Sequence, residues 1–165
     1  MRIGVIGSSR IGLLTAANFA ELGHDVLCAG LGAGLAQFAG TRGCAKIRFT
    51  TSPAAAARHG QLGFIVLGTP GLGVGRASAL ARLVAAVIEI AKNLQGPAIL
   101  INDGATPSAT VGDLAQRMLE HTNQQIIAVA DPVWANFIAP GLALALETEY
   151  SGARLGTTPP GEQKE

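Results

Sequence analysis

The run Gly-Ser-Ser-Arg-Ile-Gly at positions 7–12 is the clearest candidate for a ligand-binding loop in this sequence. A short apolar segment, residues 2–6, precedes the run and a helical pattern, residues 13–22, follows it, so the run joins a predicted strand to a predicted helix. A G-x-G-x-x-G loop at such a junction holds the pyrophosphate of a dinucleotide, and its second glycine lets the backbone approach the phosphates. In this chain Ser9 stands at that second position and intrudes on the space that the phosphates need. The candidate cofactor loop is Gly7, Ser8, Ser9, Arg10, Ile11 and Gly12.

Two aspartates are weaker candidates for acid–base chemistry. Asp103 and Asp131 follow the fifth and sixth predicted strands, at the edge where doubly wound sheets bind their ligands. If both face one crevice, they could form an acid–base pair with shifted pKa values. The alternative is that each caps the next helix or turn, since an aspartate before a proline commonly opens a turn.

Composition favours one domain without a membrane span. The chain has 165 residues, of which 48% are apolar and 14% charged, with a mean hydropathy of +0.37. Its longest apolar stretch, residues 80–94, contains Arg82, Glu89 and Lys92, so it is shorter than the roughly 20 apolar residues that a span needs. Because Met1 leads straight into a predicted strand, we expect no secretory leader and a cytoplasmic protein.

Charge and metal-ligating residues exclude further classes of function. The net charge is +1 and the basic residues are scattered, so we expect no nucleic-acid partner. Cys28 and Cys44 lack metal-ligand spacing, and the three histidines are far apart, so we expect no metal site. Cys28 lies in an apolar strand and is predicted to be a core residue. The apolar excess suggests an apolar small molecule or a second copy of the chain as partner.

Short apolar runs alternate with helical patterns, which predicts an α/β fold. We expect a Rossmann-like, doubly wound, mostly parallel six-stranded sheet of order 3-2-1-4-5-6. Predicted helices cover residues 78–94, capped by Ser78, and residues 108–121. Five glycines within residues 30–43 predict a loop or a shortened crossover there. The fold is predicted to be one domain, residues 1–157, with a flexible tail, residues 158–165. The predicted strands are 2–6, 25–29, 46–50, 62–67, 98–101 and 126–130.

The sequence contains the runs MRIGVIG, GLLTAANFAELGHDVLC, IRFTTS and FIVLGTP, together with a proline-containing turn after the fifth predicted strand. In this order and spacing, these runs resemble the N-terminal domain of the UDP-glucose/GDP-mannose dehydrogenase family. The resemblance extends from Met1 to about Thr157. It implies a relative of enzymes that use NAD to oxidise a sugar-nucleotide alcohol to an acid through a covalent cysteine intermediate. It also implies that Thr69 and Pro70 lie in a loop that touches the cofactor, although a plain turn closing the strand is the alternative.

The chain departs from the family's pattern where the chemistry would take place. Ser9 and Arg10 stand at the family's second loop glycine and tyrosine, and Gly30 stands at the aspartate that holds the adenosine ribose. Ala105 replaces the threonine that helps to position water, and Val133 replaces the catalytic glutamate. Neither of these last two side chains can transfer a proton or order water. The resemblance therefore implies a degenerate cofactor site.

Three hypotheses for function follow. The first is a non-redox binding or accessory protein without UDP-sugar dehydrogenase activity, which forms a homodimer. It follows because the family's nucleophilic cysteine and sugar-nucleotide pocket have no counterpart in the sequence. The second is a cofactor-independent cyclase or isomerase that takes an apolar biosynthetic intermediate in a crevice lined by Ala105, Val133 and Trp134. Trp134 could instead cover core that another domain would bury. The third is a small NAD(P)-dependent oxidoreductase completed by a partner chain, whereas the first two imply no cofactor.

Overall fold

A computed structural model describes residues 1–7, 9–30, 46–68, 76–102 and 106–129 of the chain. They form six strands and four helices. In chain order the elements are β1 (Arg2–Ile6), α1 (Arg10–Glu21), β2 (Asp25–Ala29), β3 (Arg48–Thr50), α2 (Pro53–His59), β4 (Leu62–Leu67), α3 (Arg76–Asn93), β5 (Ala98–Asn102), α4 (Ser108–Leu119) and β6 (Ile126–Val129).

The strands make one sheet of order β3-β2-β1-β4-β5-β6, and every neighbouring pair is parallel. The order reverses between β1 and β4, whose carboxyl ends border the crevice in which such sheets bind ligands. The predicted α/β, Rossmann-like fold and its strand order are confirmed. The six predicted strands are all present.

Two apolar cores cover the two faces of the sheet. On one face, residues of α1 such as Leu13 and Ala17 pack on Ile3, Val5 and Val26. The other face is packed by α2, α3 and α4, as the following buried side chains show. They are Ala56 and Ala57 of α2, Val87, Ile90 and Leu94 of α3, and Val111, Leu114 and Met118 of α4. Burial on both faces explains why the strands are near-continuous apolar runs rather than alternating ones.

Some boundaries differ from the predicted ones. β3 begins at Arg48 rather than at residue 46, because pairing with β2 starts at Leu27. Ser78 was predicted to cap α3, and this is wrong: the helix begins at Arg76, since Arg and Ala at its start are good helix formers. The prediction named no helix between β3 and β4. Ser52 caps that helix, α2, by accepting a hydrogen bond from Ala55 N at 3.2 Å.

Cys28 is fully buried in the core beneath α1, as predicted. Among the described helices, none is long and apolar enough to cross a membrane. The predicted loop around residues 31–43, Cys44 and the predicted tail, residues 158–165, lie outside the described residues.

Charged groups tie β2, β3 and α2 together at the amino edge of the sheet, opposite the crevice. Arg48 Nη2 lies 2.6 Å from Asp25 Oδ1, and Arg48 Nε donates to the same oxygen at 3.2 Å. His59 Nε2 lies 3.5 Å from Asp25 Oδ2. The hydrogen bonds from Arg48, followed by the charges of Arg48, His59 and Arg2, hold the pKa of Asp25 below its ordinary value of 3.8. Burial opposes this shift of the pKa.

This arrangement predicts a dependence of stability on acid pH. Because the pKa of Asp25 is lower in the folded chain, its contribution is complete above pH 3.8 and is lost as pH falls through the folded value. Asp25→Asn should therefore flatten the decrease in unfolding free energy below pH 3.8, measured by urea denaturation at a series of pH values. Glu21→Gln, which removes the exposed ion pair with Lys46, is the control. An unchanged acid slope in Asp25→Asn would contradict the prediction.

Candidate functional site

The candidate loop begins where β1 ends, and Gly7 is held there by backbone on two sides. Its N–H donates to Ala29 O at 2.8 Å, which joins the ends of β1 and β2. Its φ is +145°, a conformation that side chains rarely adopt. A Cβ at this position would lie 2.6 Å from Val66 O of β4. Glycine is therefore required here by the close approach of three strands, whatever ligand binds.

Gly12 holds the start of α1 against the same turn. A Cβ on Gly12 would lie 2.5 Å from Gly7 O, so the first turn of α1 packs directly on the backbone that leaves β1. This is the helix-to-strand packing that the third glycine of a dinucleotide loop provides. The two retained glycines thus account for the shape of the junction.

Ser9, at the position of the missing glycine, is the N-cap of α1. Its backbone is extended, with φ −73° and ψ 161°, and its carbonyl oxygen accepts from Leu13 N at 3.1 Å. Its Oγ accepts from Gly12 N at 3.4 Å, a long hydrogen bond to one of the N–H groups that a helix leaves unpaired at its start. Those N–H groups are the ones that attract phosphate in a dinucleotide site. The serine side chain thus engages part of the phosphate-binding surface itself.

Gly30 follows β2 at the same edge of the sheet, beside the turn. It is buried and carries no side chain, and Ala29 O just before it accepts from Gly7 N. The ribose of a dinucleotide is held at the end of this strand by a carboxylate. No carboxylate can act from position 30. The structure therefore brings Gly7, Ser9, Gly12 and Gly30 together at one edge.

Asn102 is a buried polar residue at this edge that the sequence analysis missed. It ends β5 beside Leu67 of β4 and is 3% exposed. Its Nδ2 donates to Thr106 O at 2.5 Å, and its Oδ1 accepts from Thr106 N at 3.2 Å. One side chain thus satisfies both main-chain groups of Thr106 and ties the end of β5 to the approach to α4. A polar residue that ends an otherwise apolar run, two positions before Gly104, was the signal in the sequence.

The remaining predicted site residues are not placed. The positions that lie outside the described residues are Ser8, Thr69, Pro70, Asp103, Ala105, Asp131, Val133 and Trp134, together with the side chain of Arg10. Ile11 is described, and its carbonyl oxygen accepts from Thr15 Oγ1 at 2.7 Å. Within the described ranges no group of three or more His, Cys, Asp or Glu side chains could hold a metal ion.

Comparison with known proteins agrees with the resemblance. No family model matches the chain. The curated UDP-glucose 6-dehydrogenase of Rhizobium meliloti (strain 1021) is 29% identical over 164 aligned positions, and the match covers 87% of this chain and 36% of that protein. The chain therefore spans about a third of the length of this relative. The resemblance to the UDP-glucose/GDP-mannose dehydrogenase family is confirmed.

Two solved structures share the fold. A UDP-glucose dehydrogenase from Pyrobaculum islandicum superposes with a TM-score of 0.56 at 18% identity, over 78% of this chain and 35% of its own. A UDP-D-ManNAc dehydrogenase from Pyrococcus horikoshii gives the same TM-score at 20% identity, with the same coverage. At these identities the likeness shows the Rossmann-like fold alone.

The close contact at Gly12 predicts opposite effects for two helical glycines. Gly12→Ala should lower the free energy of unfolding by about 2 kcal/mol or more, because the new Cβ meets a backbone oxygen that cannot move aside. Gly112, inside α4, has nothing within 4 Å of such a Cβ, so Gly112→Ala should raise it by about 0.5–1 kcal/mol. Urea denaturation of both variants measures the difference. Equal effects would contradict the packing role of Gly12.

The buried amide of Asn102 yields a second prediction. Asn102→Ala should lower the free energy of unfolding by about 2 kcal/mol, since it leaves two buried main-chain groups of Thr106 without their partner. Asn123→Ala, at an exposed position, should change it by less than about 0.5 kcal/mol. Thermal and urea denaturation provide the measurement. A loss at Asn102 no larger than the loss at Asn123 would contradict the role of this side chain.

Proposed function

We propose that this relative of the UDP-sugar dehydrogenases is a non-redox binding or accessory protein that keeps their dinucleotide-binding frame as a scaffold. The observation that carries the proposal is the role of Ser9. Its hydroxyl caps α1 on Gly12 N, so a phosphate arriving at this helix start meets an oxygen that already engages the helix. The glycines on either side, Gly7 and Gly12, have structural reasons to persist without a ligand.

A second loss at the same edge supports the proposal independently. With Gly30 at the end of β2, the ribose hydroxyls of a dinucleotide lose their carboxylate partner. Hydrogen bonds to charged groups are worth about 1.5–3 kcal/mol each, so a bidentate pair contributes about 3–6 kcal/mol. At about 1.4 kcal/mol for each factor of ten, this loss weakens binding by roughly a hundredfold or more. The serine and the missing carboxylate act on different parts of one ligand, so their effects combine.

The experiment is a thermal-shift titration of the chain with NAD and with NADP. A ligand present at a hundred times its Kd stabilises the native state by about 2.7 kcal/mol. For a chain of this size that is a rise in Tm of about 5–10 °C. We expect no rise with either dinucleotide at millimolar concentration. A clear rise with one of them would contradict the proposal and would favour an NAD(P)-dependent oxidoreductase completed by a partner chain.

Matched variants test whether the two named positions cause the loss. The double variant Ser9→Gly/Gly30→Asp should gain a rise in Tm with NAD, because it restores both the space for phosphate and the ribose carboxylate. Ser9→Ala is the control, since it removes the cap but leaves a Cβ in the loop. That control should lower the unfolding free energy by about 1 kcal/mol without any gain in binding. A double variant that stays silent to NAD would contradict the assignment of the loss to these residues.

Three further predictions are not tested by the described residues. The cofactor-independent enzyme depends on a crevice lined by Ala105, Val133 and Trp134, all of which lie outside the described residues. The homodimer and the apolar small-molecule partner likewise rest on the apolar composition of the sequence.

A further inference from the structure

One face of the sheet is covered unevenly by the described elements. On the face where α1 packs, that helix lies over β1, β2 and β4. The helices α2, α3 and α4 contribute to the core on the opposite face. In α/β proteins a parallel sheet is covered on both faces. Ile101 of β5 is fully buried in the core on the α1 face, whereas no described residue of β6 belongs to that core.

Exposure increases along one row of side chains on this face. Phe64 of β4, Ile99 of β5 and Ile127 of β6 are consecutive partners in the parallel register. Phe64 is 6% exposed beneath α1, Ile99 is partly buried against the same core, and Ile127 is 46% exposed. The neighbouring Ile126 packs in the opposite core, which places Ile127 on the α1 face. We call the apolar surface formed by Ile99 and Ile127 the β5–β6 face.

The chain itself supplies a segment suited to this face. Residues 132–146, with the sequence PVWANFIAPGLALAL, contain no charged side chain and follow directly on the end of β6. Neighbouring strands lie about 5 Å apart, and each extended residue spans about 3.3–3.6 Å, so a few residues beyond β6 suffice to reach β5. A tethered segment also has a high effective concentration at a surface beside its own tether.

We propose that the β5–β6 face is a docking surface and that its occupant is the chain's own segment, residues 132–146. Ile101 of β5 is already fully buried on the α1 face, so covering Ile127 extends that burial to β6 and removes apolar surface from water. The proposal concerns a surface remote from the loop at Gly7–Gly12, so it stands independently of the proposed function. A second copy of this chain is the other occupant that the test distinguishes.

The test uses the full chain in a Cys44→Ser background, with Cys28 buried. In the variant Ile127→Cys the rate at which a thiol reagent labels the new cysteine is measured. This labelling rate is divided by the labelling rate of the same variant unfolded in urea. Leu119→Cys is the matched control, since Leu119 is 43% exposed on α4, away from the β5–β6 face. If the segment covers the β5–β6 face in about 90% of the molecules, the cysteine of Ile127→Cys is labelled about tenfold more slowly than the control, because labelling requires the uncovered state. We expect that difference at every protein concentration.

A second change identifies the occupant. Leu142→Glu/Leu144→Glu within the segment should raise the labelling rate of Ile127→Cys about tenfold, to the level of the control, because the charged side chains oppose apolar docking. The emission of Trp134, the single tryptophan, should shift to longer wavelength in the same variant if the segment leaves an apolar surface. Protection of Ile127→Cys that disappears on dilution would overturn the proposal in favour of a second copy. If residues 132–146 are unchanged and Ile127→Cys is nevertheless labelled as fast as Leu119→Cys, the β5–β6 face is uncovered and the proposal is overturned.

Discussion

The structure depends on the close approach of backbone at the turn from β1 to α1. Gly7 lies against Val66 of β4 and donates to Ala29 of β2, while Gly12 brings the helix against the carbonyl oxygen of Gly7. Three strands and one helix therefore meet within van der Waals distance, with no side chain between them. Such a junction sets the distance of α1 from the sheet and thereby the depth of the core below Leu13 and Ala17. The same constraint requires glycine at positions 7 and 12 whether or not a ligand binds at the loop.

Under the proposed function, Ser9 and Gly30 are the positions at which the scaffold is kept without dinucleotide recognition. The first makes a local hydrogen bond that stabilises the start of α1, and the second is buried without a side chain. Similarity to UDP-sugar dehydrogenases consequently reports the frame of this domain, while chemistry has to be argued from the groups at its edge.

Much of the fold was predictable because each buried strand is a short apolar run bounded by polar or glycine residues. The strand order followed from the α/β alternation together with the glycine-marked turn. Boundaries were less predictable: β3 is shortened by its pairing register with Leu27, and α3 begins before its apparent cap at Ser78. In the site, the packing of Gly7 and Gly12 was readable from spacing. The two hydrogen bonds between the Asn102 side chain and the main chain of Thr106 could not be predicted, because they depend on Thr106 lying within hydrogen-bond distance of the end of β5.

The amide of Asn102 has a consequence for how this domain can change. It donates to and accepts from the main chain of Thr106, in the way one strand pairs with another. The end of β5 is thereby joined to the residues just before α4. Because both hydrogen bonds go to main-chain atoms of Thr106, another side chain at position 106 would leave this pair of hydrogen bonds available.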